Sequence, residues 1–326
     1  MLNFVAQRLI QVAIVMLIVA AIAFSMFTFL GDPLVVILGA DSTVAQRASL
    51  REKLGLDDPL IWQFFRYLGD IVTGDFGISY RLSRPVENIL AERFPATVEL
   101  AVAGMLIALA IGVPAGVHTA IHRDSLLSRT LLAASLFGIS LPSFFMGVLL
   151  IWLFSIQLGW LPSFGRGDTV DLGVWTTGLL TLSGLKALLM PALTIAVFQI
   201  AMIMRLVRAE MLEVLKSDYI RFARARGLHQ NVINYRHALR NTMIPVITVI
   251  GLQLGSVIAF AVITEAVFQW PGLGLLFLQS VAAADVPVMA AYLILIATLF
   301  VAINFVIDLL YFAIDPRLST QKGGGH

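Results

Sequence analysis

The sequence predicts an all-α integral membrane fold: six transmembrane helices, both termini cytoplasmic, and a small helical extracytoplasmic segment after the first span. Three observations carry this. The 326 residues are 59% hydrophobic and only 13% charged, where a soluble globular chain is about 25% charged. With a mean hydropathy of +0.91 such a chain could not keep its surface wet, which excludes a water-soluble enzyme. Second, the stretches 9–30, 98–121, 130–158, 188–204, 244–268 and 288–313 are apolar and near the length of about 20 residues that crosses the hydrocarbon core. Third, the basic residues are sorted by loop.

The first span follows a lone Arg8 and is too long for a signal-peptide core, so residues 1–30 read as a retained anchor. Residues 31–97 form the extracytoplasmic segment. Within it Asp57-Asp58-Pro59 is a helix start with proline at the first turn. Ile61, Phe64, Phe65, Leu68, Ile71 and Val72 then repeat at helical spacing, and Gly74 ends the run. Pro85 opens a second short helix through Glu87 and Arg93; both pieces are expected to pack against the membrane surface. Residues 98–317 hold the other five spans and a cytoplasmic loop, 205–243. The apolar run 275–284 is too short to span, follows Trp270-Pro271-Gly272, and reads as re-entrant or interfacial. Residues 318–326 have linker composition and read as a flexible tail foreign to the fold.

Orientation follows from the short loops. Residues 123–129 carry two arginines, and 205–240 carries eight Lys and Arg against Glu210, Glu213 and Asp218. The tail adds Arg317 and Lys322. On the opposite side, 163–186 has only Arg166 and Lys186, and 269–287 has neither Lys nor Arg. An even number of spans with both ends in the cytoplasm satisfies all of these.

Most candidate chemistry fails on inspection. The net charge of +2 gives no nucleic-acid signal, and the absence of cysteine excludes disulfides and thiolate metal sites. A phosphate-binding loop needs a glycine before its Lys-Ser/Thr pair. Only Lys216 of the four lysines precedes such a residue, and Leu215 stands before it. Any ATP must therefore be bound by another chain. Gly165-Arg166-Gly167-Asp168 superficially matches an aspartyl membrane protease element, but no second mid-helix aspartate shares the proton. His118 and His122 have metal-ligand spacing without a third ligand nearby, and read as interfacial polar residues. Glu99, Glu265 and Asp308 lie toward span ends; a carboxylate at mid-depth, costing about 2.5–3.5 kcal/mol to insert, would be expected of a proton-coupled carrier. Gln199 and Gln253 are mid-span amides that either line a polar pathway or hold helices together. Pro142, Pro191 and Pro245 interrupt backbone hydrogen bonds in or beside spans.

The most informative stretch is Ser217 followed by Asp218-Tyr219-Ile220-Arg221-Phe222-Ala223-Arg224-Ala225-Arg226-Gly227. Ser217 or Asp218 can cap a short helix, and Gly227 can end it in the left-handed conformation. Ile220 and Ala223 share a face beside Phe222, a pattern suited to a partner's groove. A basic loop touching lipid headgroups is the other reading.

This stretch, continued by His237-Ala238-Leu239-Arg240-Asn241 and Pro245, resembles the EAA coupling loop of bacterial ABC importer permeases, most of all the dipeptide/oligopeptide/nickel branch. Further similar motifs are Gly31-Asp32-Pro33, Leu54-Gly55-Leu56-Asp57, Gly74-Asp75-Phe76-Gly77-Ile78-Ser79 and Phe94-Pro95-Ala96-Thr97-Val98-Glu99-Leu100. Leu161-Pro162, Trp270-Pro271-Gly272-Leu273-Gly274 and Asp315-Pro316-Arg317 follow. Two departures stand out: Arg221 replaces the glutamate of the general pattern, and Phe222 its first alanine. The resemblance implies a permease subunit forming half of a pathway for short peptides, with nickel complexes, glutathione or another small solute as alternatives. It implies a second homologous permease, two ATPase subunits that bind ATP and Mg, an extracytoplasmic solute-binding protein, and membrane lipid around it. Residues 218–227 would couple to the ATPases, and the loop carrying Arg166, Asp168 and Trp175 would reach toward the binding protein. No cofactor is expected in this chain. A secondary transporter, moving solute without an ATPase, is the alternative class.

Overall fold

The computed structural model describes residues 2–29, 43–53 and 57–314. The motifs at 31–33, 54–56 and 315–317 and the expected tail 318–326 lie outside the described residues. The α-helices are α1 (Leu2–Phe29), α2 (Val44–Lys53), α3 (Leu60–Thr73), α4 (Val86–Ile121), α5 (Leu126–Ser140), α6 (Ser143–Leu150), α7 (Leu182–Val214), α8 (Asp218–Ala225), α9 (Leu239–Phe260), α10 (Val262–Val267), α11 (Leu273–Ala282) and α12 (Val286–Ile314). Two π-helical turns, Ile151–Gln157 and Val232–Ala238, extend α6 and precede α9. A two-residue antiparallel pair sets Val170 against Thr177 and Asp171 against Thr176.

Among the described residues five helices are long and apolar enough to cross a membrane: Ala6–Phe29, Val86–Ile121, Leu182–Val214, Val232–Val267 and Val286–Ile307. The expected third span is not one rod. α5 and α6 meet at a bend of 107°. Leu141, which precedes Pro142, takes the extended conformation at φ −84° and ψ 130°, as the residue before a proline prefers. Pro191 and Pro245, by contrast, sit inside continuous helices.

The chain forms two compact units, residues 1–95 with 272–302, and residues 96–271 with 303–326. In the first, Val86, Ile89 and Leu90 pack with Leu273, Leu276, Val288 and Tyr292. Fully burying such a side chain is worth about 1.5–3 kcal/mol. These units group residues by packing, whereas the sequence reading divided the chain by membrane side, with an extracytoplasmic segment at 31–97 and a permease core at 98–317. The short helix expected after Pro85 is the opening of α4, which runs on through Pro95 for 36 residues. Gly74 closes α3 at φ +80°, with its N–H donating to the Ile71 carbonyl and that of Asp75 to the Asp70 carbonyl. Pro59 caps α3 rather than occupying its first turn. The motif after Gly74 is stapled by Asp285, 1% exposed, which accepts from Ser79 Oγ at 2.5 Å and from the Tyr80 N–H at 2.9 Å.

In the second unit α7 is the central helix, and α5, α6 and α9 pack on it. α4 approaches it closely because Gly104, Gly112 and Gly116 carry no side chain. A Cβ at Gly116 would lie 2.7 Å from Val207 Cβ, and one at Gly104 2.9 Å from Ile195 Cγ2. Small residues at such crossings let membrane helices gain dispersion contact that lipid cannot supply.

Candidate functional site

α8 forms where the sequence places it, and its turns explain why. Ser217 precedes it in extended conformation at ψ 155°, although its hydroxyl donates back to the Val214 carbonyl at 2.5 Å instead of capping. Asp218 supplies negative charge to the first turn, where the helix dipole favours it. Gly227, at φ +77°, ends the helix in a Schellman motif: its N–H donates to the Arg224 carbonyl, and that of Leu228 to the Ala223 carbonyl.

The helix has two unlike faces. Ile220 and Ala223, expected to offer themselves to a partner, are instead 0% and 7% exposed and anchor the helix within its own unit. What is presented is Phe222, 64% exposed, with the Arg226 guanidinium 5.7 Å from its ring centroid. Arg221, Arg224 and Ala225 are also exposed. Tyr219 bridges the two faces. Its hydroxyl accepts from Asn241 Nδ2 at 2.6 Å and donates to the His237 carbonyl at 3.4 Å. The residues downstream of the loop motif, His237 and Asn241, thus hold the helix to the start of α9.

The break at Pro142 opens a cavity of about 630 Å³. Gln199 and Gln253, the two mid-span amides, both line it with Leu141, Pro142, Phe198 and Phe260. Gln199 is 5% exposed, and its Oε1 has no hydrogen-bond partner among the described residues. Among the described residues Gln253 Nε2 reaches only the Met202 sulfur, at 3.2 Å. A concave, mostly apolar chamber with a few amides matches a small-solute site in size and lining.

A buried polar cluster in the same unit was not legible in the sequence. Arg166 and Glu99 pair at 2.6 Å with side chains 7% and 4% exposed. Trp175 Nε1 donates to Glu99 at 3.1 Å, and Arg166 donates to the Thr176 carbonyl at 2.6 Å. Thr97 Oγ1 donates to the fully buried Glu265 at 2.6 Å, and Trp270 Nε1 to the Ala96 carbonyl at 2.9 Å. Of the residues of the loop expected to reach toward a binding protein, Arg166 is buried and Trp175 half-buried. Asp168 is exposed, though its carboxylate accepts from Ser183 Oγ at 2.6 Å. The most exposed apolar residue of this loop is Val174, at 98%. The signal that could have found the pair was electrostatic. Glu99 is an acid at a span end, and Arg166 is one of only two basic residues in the loop 163–186.

Residues 112–320 match the family described as binding-protein-dependent transport system inner membrane component, and residues 1–101 match its N-terminal companion. The chain belongs to this family. Among curated relatives it is 37% identical to the dipeptide transport system permease protein DppB of Alkalihalophilus pseudofirmus, over 98% of this chain and 99% of the relative. It is 38% identical to the di/tripeptide transport system permease protein DppB of Pseudomonas aeruginosa, over 99% and 100%. It is also 38% identical to the glutathione transport system permease protein GsiC of Escherichia coli, over 98% and 99%. A chain of the MetNI methionine ABC transporter, solved in inward-facing conformations, superposes with a TM-score of 0.58 at 21% identity, covering 72% of this chain and 100% of that one. That likeness concerns the fold.

As an inner membrane component of this family, the chain is a multi-pass, non-catalytic permease subunit. ATP hydrolysis belongs to partner subunits, and solute capture to a binding protein. The absence of a phosphate-binding loop agrees with that division. In this permease the features open to assignment are the presented face of α8, the Gln199–Gln253 chamber and the Arg166–Glu99 cluster.

Proposed function

We propose that this permease forms half of a translocation pathway for short peptides in an ATP-driven importer. The observation that carries the substrate class is identity of 37–38% across nearly the full length with permeases named for dipeptides and di/tripeptides. A permease named for glutathione, itself a small peptide, lies at the same identity and keeps the reading within one chemistry.

In this reading a second homologous permease completes the pore, and two ATPase subunits, carrying ATP and Mg, grip α8 and its counterpart. Both termini and residues 205–243 face the cytoplasm, which the eight basic residues of 205–240 support. Phe222 and its neighbouring arginines make the ATPase contact; Ile220, Ala223 and Tyr219 pass the motion on to α7 and α9. Rigid-body movement of that kind switches access from one side to the other. Gln199 and Gln253 line the path. An extracytoplasmic binding protein delivers solute, and the exposed turn at Leu172 and Val174 is the part of its loop best placed to be touched.

Reconstitution tests the proposal. Proteoliposomes carrying the assembled transporter and its binding protein should take up a labelled dipeptide with ATP, stop with vanadate, and ignore a proton uncoupler. Uptake that runs without ATP, or a working transporter that refuses all short peptides, would overturn it.

A further inference from the structure

Helix α3 has more apolar surface than the protein covers. Side chains advance about 100° per residue around a helix, which sorts this one into three arcs. The first, Phe64, Tyr67, Leu68 and Ile71, is half-buried. Its rings lie on the last turns of α1: Phe24 is 5.4 Å from Phe64 and 5.8 Å from Tyr67, and Phe27 is 5.4 Å from Tyr67. The second arc, Ile61, Phe65 and Val72, is equally apolar yet 58%, 58% and 86% exposed, with Trp62 at its edge, 64% exposed. The third is polar and holds Arg66, which donates to Asp58 at 2.5 Å, and Asp70.

The neighbour of this helix identifies what meets the second arc. α1 contains a mostly apolar span of 24 residues, Ala6–Phe29, whose Leu17, Ile18 and Ile22 are 51%, 54% and 55% exposed, a surface for lipid. Phe24 and Phe27 lie within five residues of its end at Phe29, hence within about 8 Å of that end at 1.5 Å per residue. Amphipathic helices in a bilayer surface bury their apolar face about 5–10 Å into the headgroup and acyl boundary. The uncovered arc of α3 is thus continuous with a lipid-facing helix and at the depth where such a face is solvated by lipid.

We infer that α3 is an interfacial anchor: Ile61, Phe65 and Val72 insert into the leaflet in which α1 ends. Trp62 sits at the headgroup level, where indoles concentrate, and the arc of Arg66 and Asp70 faces water. This holds whatever solute is carried.

The chain contains no cysteine, so single spin labels can be placed at will. Phe65→Cys, Val72→Cys and Asp70→Cys variants would be labelled in the assembled transporter, with partner cysteines removed, in phosphatidylethanolamine–phosphatidylglycerol vesicles. Collision with oxygen and with a water-soluble nickel chelate reports the surroundings. Labels at 65 and 72 should favour oxygen and the label at 70 the chelate, with and without binding protein. Chelate-accessible labels at 65 and 72 overturn the inference. So does shielding that appears only when the loaded binding protein is added, which would assign the arc to that protein. Val72, 86% exposed, tolerates a label if Phe65→Cys fails to assemble.

Discussion

Tyr219 in the short helix α8 and Asn241 in the first turn of α9 share a 2.6 Å hydrogen bond across 22 residues of chain. It joins the helix that we propose couples to the ATPases to a span that lines the chamber. Tyr219→Phe removes the bond but keeps the ring, at a cost of about 1 kcal/mol. Insertion and ATPase association should be normal, while solute moved per ATP hydrolysed falls, by severalfold. Transport and hydrolysis measured on the same proteoliposomes check this; an unchanged ratio would exclude Tyr219 as a link.

Two substitutions one residue apart should fail differently. Ala223 is buried, so Ala223→Glu forces a carboxylate into an apolar slot and detaches α8 from its own subunit. Phe222 is exposed, so Phe222→Ala should leave the loop folded and weaken ATPase association. Truncating an interface aromatic of this kind typically costs about 2 kcal/mol or more. Limited proteolysis of the loop and co-purification of the ATPases separate the two. Equal protease sensitivity in both variants would contradict the face assignment.

The Arg166–Glu99 pair should behave as a buried ion pair. Arg166→Met strands a carboxylate beside Trp175 and should destabilise the subunit by about 3–5 kcal/mol, whereas adding Glu99→Gln should recover much of that. Thermal unfolding of the detergent-solubilised transporter, compared across both single variants and the double, gives the answer. Additive losses would mean that the two side chains stabilise the fold independently.

These residues also mark how far the sequence could be read. Local signals survived: the Schellman turns at Gly74 and Gly227 and the start of α3 at Pro59 each depend on a few adjacent residues. Hydropathy located the spans because the bilayer sets their length. Three features escaped. Pro142 breaks its span while Pro191 and Pro245 do not, and a proline alone does not say which. Glu99 meets Arg166 across 67 residues, a pairing no periodicity encodes. In α8 the pattern showed that Ile220 and Ala223 share a face, but not that the face turns inward, because amphipathicity is the same for a helix resting on its own subunit as for one waiting for a partner.

The chamber gives the last test. Gln199 has a buried amide oxygen without a protein partner among the described residues, a state that costs stability unless water or solute satisfies it. Gln199→Leu removes that demand along with the hydrogen-bonding group. The subunit should therefore be at least as stable as the parent, while peptide uptake is impaired. Binding-protein affinity should not move, since the residue lies 5% exposed inside the second unit. Gln253→Leu, which loses a weak contact to the Met202 sulfur, should be milder. Uptake rates over a range of loaded binding protein, set beside thermal stability, distinguish the cases. A Gln199→Leu variant that transports normally would show that the amide serves helix packing, and the pathway would then have to be lined by other residues.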